Sequence, residues 1–218
     1  MELGDIKVAD AFRGAARLGI LEMIGVRVTE SPAELKHMLN SLADDVAAKY
    51  KNTALGEIDT VRKIRSIFHK SGLDPTRYRP SSESLLRRAV KGKGLYLINS
   101  VVDLINYFSL KTLWPMGLYN ADRLVPPIEW RIGAEGETYE GIGRDWLNLA
   151  HFPLLSDTTG PFGSPISDSM KTRVTEDCTH ILWITFAPAG TAVPLQEFAD
   201  TTAHFCGGEV VTSQQVDV

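Results

Sequence analysis

The sequence predicts an α+β fold in a single domain, with helices in the first half packed on mixed or antiparallel sheets. From Ser31 to Leu113 apolar residues recur at spacings of three and four, the period of amphipathic helices. After Trp114-Pro115 the texture changes to short runs of branched and aromatic residues broken by Gly, Pro and Asp-Thr turns, the pattern of strands. No repeat, low-complexity tract or linker divides the chain, and helices followed by strands pack as α+β layers.

Gly19 to Val28 is rich enough in branched residues to read as a strand or hairpin. Ser31-Pro32-Ala33-Glu34 reads as a helix start, with Ser31 the cap and Glu34 completing a capping box. Leu35, Leu39, Leu42, Val46 and Tyr50 then share one face of a helix running to about Asn52. A second helix spans about Glu57 to Lys70, with Val61, Ile64 and Phe68 inward, Arg62, Lys63 and Arg65 outward, and Gly72 as its stop. Asp74-Pro75 and Arg79-Pro80 make an extended connector. A third helix runs from Ser81 to Lys91 and breaks at Gly92-Lys93-Gly94, and a fourth runs from near Asn99 to Leu113. Val125 to Ile132, Thr138 to Ile142 and Thr179 to Ala187 read as strands, and Pro194 to Ala203 as a last helix.

A composition of 44% hydrophobic and 23% charged residues over 218 positions excludes disordered, collagenous and repeat proteins. A chain of this size buries roughly 70% of its unfolded surface and needs no crosslink or structural metal. Cys178 and Cys206 have neither Cys-x-x-Cys spacing nor a paired histidine motif, so no metal, redox dithiol or disulfide framework is expected. That usage points to a reducing cytoplasm. The first residues lack a basic and an apolar signal region, and the longest apolar stretches fall short of the roughly 20 residues a span needs, so no membrane partner is expected.

The net charge of −4 is unevenly spread: between Arg62 and Lys93 ten basic side chains stand against Asp74 and Glu83, a local +8 that leaves −12 elsewhere. Such a block is the footprint of a surface that meets phosphate or another polyanion. The equal alternative is a solvated face paired with acids from elsewhere.

Standard signatures for nucleotide binding, serine hydrolases and zinc proteases are missing, and no cofactor is expected. His151 on a loop is a possible base, although a lone histidine is more often structural. His180 leads a strand as a packed or edge residue, and Cys206 is an ordinary thiol by default. The dense polar feature is Asn99, Asp103 and Asn106, whose spacing of four and three aligns them along one stripe of the fourth helix. Asn99 can equally cap that helix, and Asp103 can pair with an arginine such as Arg79 or Arg131.

The run Arg79-Pro-Ser-Ser-Glu-Ser-Leu-Leu-Arg-Arg88, followed by Ile98-Asn-x-Val-Val-Asp-x-x-Asn-Tyr107 and Leu118-Tyr-Asn-Ala-Asp-Arg-Leu124, resembles the B3/B4 domain, the editing domain of the phenylalanyl-tRNA synthetase beta subunit. Similarity continues in Arg131-x-x-x-x-Gly-Glu137, Leu154 to Gly160 and Val174-Thr-Glu-Asp-Cys-Thr-His-Ile-Leu182, so it spans about Arg62 to Ala187. It implies a layered B3/B4-like fold over 61–218, with 1–60 a strand-and-helix extension of the same domain. No synthetase catalytic domain fits in this length, so the resemblance is to a free-standing relative without aminoacylation activity.

In that family the domain hydrolyses tyrosine wrongly attached to the phenylalanine tRNA. The resemblance therefore implies a tRNA-binding protein and a trans-editing hydrolase acting on mischarged aminoacyl-tRNA. The alternative is a non-catalytic amino-acid or small-molecule binder that keeps the pocket. tRNA or aminoacyl-tRNA is the expected partner, a free amino acid a further one, and DNA is not expected. Arg79, Arg87, Arg88, Lys91 and Lys93 are the tRNA-binding candidates, and Asn99, Asp103, Asn106, Tyr107, Gly117 and Ser164 the pocket candidates.

Where the family usually reads Pro-x-His-x-Phe-Asp, this chain has Pro115-Met-Gly-Leu-Tyr-Asn120, which puts Gly117 at the histidine. Met170 falls at or near the family's acid. By elimination the group that orients or deprotonates water is a carboxylate of the Asp157 to Ser169 segment, Asp168 first and Asp157 second. The competing role for each aspartate is a turn residue bonding its own backbone.

Overall fold

In the computed structural model, which describes residues 3–218, the first sheet is built from strands β1 (Ile6–Val8), β4 (Ile128–Ile132), β7 (Pro153–Asp157) and β8 (Gly160–Gly163) in that order. β1 runs parallel to β4 and the other pairs are antiparallel. The second sheet is fully antiparallel in the order β10 (Glu209–Asp217), β2 (Ala16–Ile24), β9 (His180–Pro188), β3 (Met116–Asn120). A small hairpin joins β5 (Thr138–Glu140) to β6 (Trp146–Asn148). Five helices complete the described fold: α1 (Ala33–Tyr50), α2 (Asp59–Lys70), α3 (Ser81–Val90), α4 (Ser100–Thr112) and α5 (Leu195–Cys206).

Strand β9 organises the layers. Its residues alternate between two covered faces, which is why Ile181 to Pro188 reads as an apolar run interrupted only by the buried Thr185. Trp183 points to the helices, stacked on Phe198 of α5 at 5.0 Å and 5.8 Å from Phe108 of α4. Phe186 points to the first sheet, where Trp130 of β4 lies 5.6 Å away. The order is helices, sheet, sheet, the α+β arrangement expected from sequence. β2 lies between β9 and β10, so residues before position 60 build the sheet that carries β3.

Local rules hold where no long-range partner competes. Leu35, Leu39 and Val46 are buried on α1, and Val61, Ile64 and Phe68 on α2. They fail at two places. Ser31 does not cap α1, since Pro32 occupies that position without a side-chain bond. The Ser31 hydroxyl instead donates to Asp103 at 2.6 Å, tying the entry of α1 to α4. Arg65 is not turned outward, because Glu83, with its side chain 1% exposed, draws the guanidinium in through bonds of 2.8 and 2.9 Å.

Candidate functional site

A cavity of about 880 Å³ opens between α4 and the free edge of β3. Its apolar wall is Val102 and Ile105 from α4 with Met116 and Leu118 from β3. Asn99 and Asn106 bring amides from α4, and the segment 173–177 supplies Arg173, Glu176 and Asp177 at the rim. A narrower extension of about 160 Å³ shares Ser81, Ile105, Asn106 and Met116 and is closed by Arg144 and Ile166.

Strand register explains which β3 residues reach the cavity. Met116 pairs with Thr185 and Leu118 with Trp183, so both share the face of Trp183, the helix side. Gly117 pairs with Ile184 and Tyr119 with Leu182, so they point the other way, between the sheets. The pocket expectation for Gly117 is corrected accordingly. A Cβ there would overlap the Tyr119 hydroxyl, and one at Gly163 would overlap the same ring. The two glycines make the slot in which Tyr119 lies, edge-on to Phe162 at 4.8 Å.

At the end of that slot is Asp168, and it lines the cavity. Its Oδ1 accepts from the Tyr119 hydroxyl at 2.9 Å and from the Ser164 amide at 3.3 Å. The Leu118 amide is a further donor. Burial pushes the Asp168 carboxyl up to about 7, against these three donors, which favour the anion. The neighbouring phenols are driven upward as well: burial first, then the Asp168 carboxylate, raises Tyr119, and burial pushes Tyr139 well above the ordinary phenol range. Both stay protonated near neutrality and serve only as hydrogen-bond donors.

Asn106 also faces the cavity, and among the described residues its amide has no protein partner. Asn99 has two roles. Its side chain caps α4 by accepting from the Val102 amide at 2.9 Å, and it lines the cavity from that position.

Three further pocket candidates and the second catalytic candidate, Asp157, are placed off the cavity wall. Asp103 is fully buried behind the helix, accepting from Ser31 and, at 2.8 Å, from the Ile98 amide rather than from an arginine. Tyr107 packs beside Phe108 at 5.2 Å and stays off the wall. Ser164 is buried beneath Asp168, bonded to Tyr139 and the Ser167 carbonyl, so it braces the carboxylate and does not line the cavity. Asp157 is enclosed elsewhere, held by Lys171 at 2.9 Å, the Thr159 amide and hydroxyl, and the Val125 amide. Burial opposes its ionisation, but Thr159 and Lys171 outweigh it and hold the carboxyl below the usual range. A carboxylate so saturated has no lone pair left for water.

The basic block is partly neutralised. Arg62 and Lys63 pair with Asp59, and Arg65 and Arg87 converge on Glu83. Arg88 lies over the Tyr96 ring and donates to the Gly94 and Lys93 carbonyls. Arg79, Lys91 and Lys93 are exposed and carry no ion pair among the described residues. His151 is on an exposed turn 3.6 Å from Glu135, away from the cavity. Both cysteines are buried free thiols.

The family model of the B3/4 domain matches residues 63–195. The chain belongs to the B3/4 domain family. The matched region contains α3, α4, β3, Asp168 and β9, that is, the whole cavity, while β2 and β10 complete its sheet from outside. An N-terminal fragment of the phenylalanyl-tRNA synthetase beta subunit from Pyrococcus horikoshii has a similar fold, with a TM-score of 0.50 at 14% identity over 97% of this chain. The chain covers 53% of that fragment, about half its length. Among curated proteins none matches the chain.

Proposed function

We propose that this tRNA-synthetase-related B3/4 domain binds the aminoacyl end of a tRNA in the cavity between α4 and β3 and hydrolyses the ester. One observation carries the reading: among the described residues that line the cavity, Asp168 is the one half-buried carboxylate, Glu176 and Asp177 being exposed at the rim, and its proton affinity near 7 suits a general base at neutral pH. Aminoacyl esters are reactive, so a site that orients water and a carbonyl needs no nucleophile.

In this mechanism the Asp168 carboxylate takes a proton from water as the oxygen attacks the ester carbonyl. The Asn106 amide, free of partners among the described residues, donates to the developing oxyanion. Collapse of the tetrahedral species breaks the ester bond, and the Asp168 acid returns its proton to the departing ribose oxygen. The products are the free amino acid and an uncharged tRNA. Val102, Ile105, Met116 and Leu118 hold the apolar part of the amino acid, and the exposed Arg79, Lys91 and Lys93 meet the phosphates. A carboxylate on the wall supports hydrolysis over simple retention of an amino acid.

Single-turnover deacylation of a panel of misacylated tRNAs tests this. Asp168→Asn is expected to lose roughly 10²-fold in rate. Activity within twofold of wild type, or no deacylation of any tRNA by the wild-type chain, would overturn it.

A further inference from the structure

The loop between α3 and α4 carries three neighbouring exposed apolar side chains, Tyr96 at 63%, Leu97 at 47% and Ile98 at 62% exposure. Ile98 lines the cavity mouth, and its amide is pinned to Asp103, itself fixed by Ser31. Tyr96 therefore stands two residues, at most roughly 7 Å of chain, from the cavity wall. Its ring is set by Arg88, whose guanidinium lies 3.8 Å from the ring centroid and donates to the phenol at 2.8 Å. Lys91 and Lys93 precede it by five and three positions, and no acidic residue occurs from Ser84 to Val102. An exposed aromatic ring braced by a guanidinium, on a loop with only positive charge, is the combination that binds single-stranded nucleic acid: the ring takes a base and the cations take phosphates. A protein partner would be served by the apolar side chains alone, whereas the unopposed cations favour a polyanion.

We propose that Tyr96, held by Arg88, is a stacking platform for the terminal unpaired base of an RNA whose 3′ end enters the cavity. This rests on the reading of the cavity as the aminoacyl site: the amino acid is esterified to the last ribose, so when the ester lies by Asp168 the last bases lie at the mouth. Stacking on a ring reads any base, so the platform gives register and affinity, and the cavity gives amino-acid selectivity.

The test is fluorescence anisotropy of the full chain with a labelled RNA ten-mer ending in CCA, and with a blunt duplex of the same sequence. Tyr96 is exposed, so Tyr96→Ala is expected to keep the wild-type Tm while weakening single-strand binding about tenfold or more. Tyr96→Trp binds at least as tightly as wild type, and Lys91→Gln with Lys93→Gln lowers the salt slope by about 0.7 for each phosphate no longer neutralised. Unchanged affinity of Tyr96→Ala, or an equal loss on the blunt duplex, overturns the platform. So does a wild-type dimer that Tyr96→Ala dissolves, which would make the patch an interface between copies. If the wild-type chain deacylates no tRNA but the Tyr96 dependence on single strands holds, the hydrolytic reading fails and the platform stands.

Discussion

The Tyr119 hydroxyl donates to Asp168 Oδ1 at 2.9 Å from the side of β3 that faces away from the helices. The carboxylate is thus fixed from between the sheets at a position where the residue lines the cavity. Two missing Cβ atoms, at Gly117 and Gly163, make this possible. Gly117 thereby serves the aromatic ring that positions an acid.

Tyr119→Phe removes a donor that favours the ionised carboxylate. The Asp168 carboxyl, already pushed up to about 7 by burial, should rise further, so the acid limb of the deacylation pH profile moves to higher pH by about half a unit to one unit. The limiting rate above that limb should change little, because the base is intact. A profile that only scales down, without shifting, would show that Tyr119 acts on packing alone.

Asp157→Asn should behave in the opposite manner to a site variant. Asp157 is fully enclosed and anchors Lys171, Thr159 and Val125, so the neutral amide should cost about 1–3 kcal/mol, as for a buried charged hydrogen-bond partner. Its carboxyl is held below the usual range, so its contribution is present above the ordinary carboxylate pKa and fades as pH falls through the lowered folded value. Chemical denaturation at pH 7 and pH 3 reads this: a large deficit at pH 7 shrinking at pH 3, with cavity affinity unchanged at pH 7. Loss of cavity affinity without loss of stability would contradict the placement.

His180 gives a titration of opposite sign. Burial disfavours its charge, but Asp122 at 2.8 Å and Glu22 at 2.9 Å win and raise it above the ordinary histidine value. The stability it lends is complete below about 6.5 and is lost as pH rises through the raised folded value. His180→Gln should therefore lower Tm at pH 6 by about 2–4 °C for each kcal/mol lost and converge toward wild type at alkaline pH. A pH-independent difference would show that the ring contributes packing alone.

The layers were legible because their signals are local. β9 is an apolar run covered on both faces, and α1 to α4 carry helical periods. β10 gave no such signal: Glu209–Asp217 is an edge strand exposed along most of its length, so no apolar alternation marks it. The site was legible only in part. Asp168 fell in a recognisable segment, but its partner Tyr119 lies 49 positions earlier, and no spacing rule joins them. Ser31 and Arg65 obey helix rules locally and are overruled by Asp103 and Glu83, distant buried acids that need satisfying. Tyr96 sits in a helix-breaking loop without periodicity. The signal that would have found it is one aromatic residue among cations with no acid nearby.

The same competition divides the basic block into two halves with different consequences. Arg79, Lys91 and Lys93 are exposed and free of ion pairs among the described residues. Replacing all three with glutamine should leave Tm within about 2 °C, since surface substitutions rarely exceed ±0.5 kcal/mol, while weakening tRNA binding and flattening its salt dependence. Arg65 is different, because it satisfies Glu83 with two short bonds and Arg87 is a poorer second partner at 3.5 Å. Arg65→Met leaves a buried carboxylate largely uncompensated, at a cost of about 3–5 kcal/mol, and tRNA affinity of the remaining folded protein should hold. Thermal melts and filter binding on the two variants separate the halves: if the triple glutamine variant binds tRNA as well as wild type with an unchanged salt slope, the exposed cations are solvated surface and the phosphates are met elsewhere.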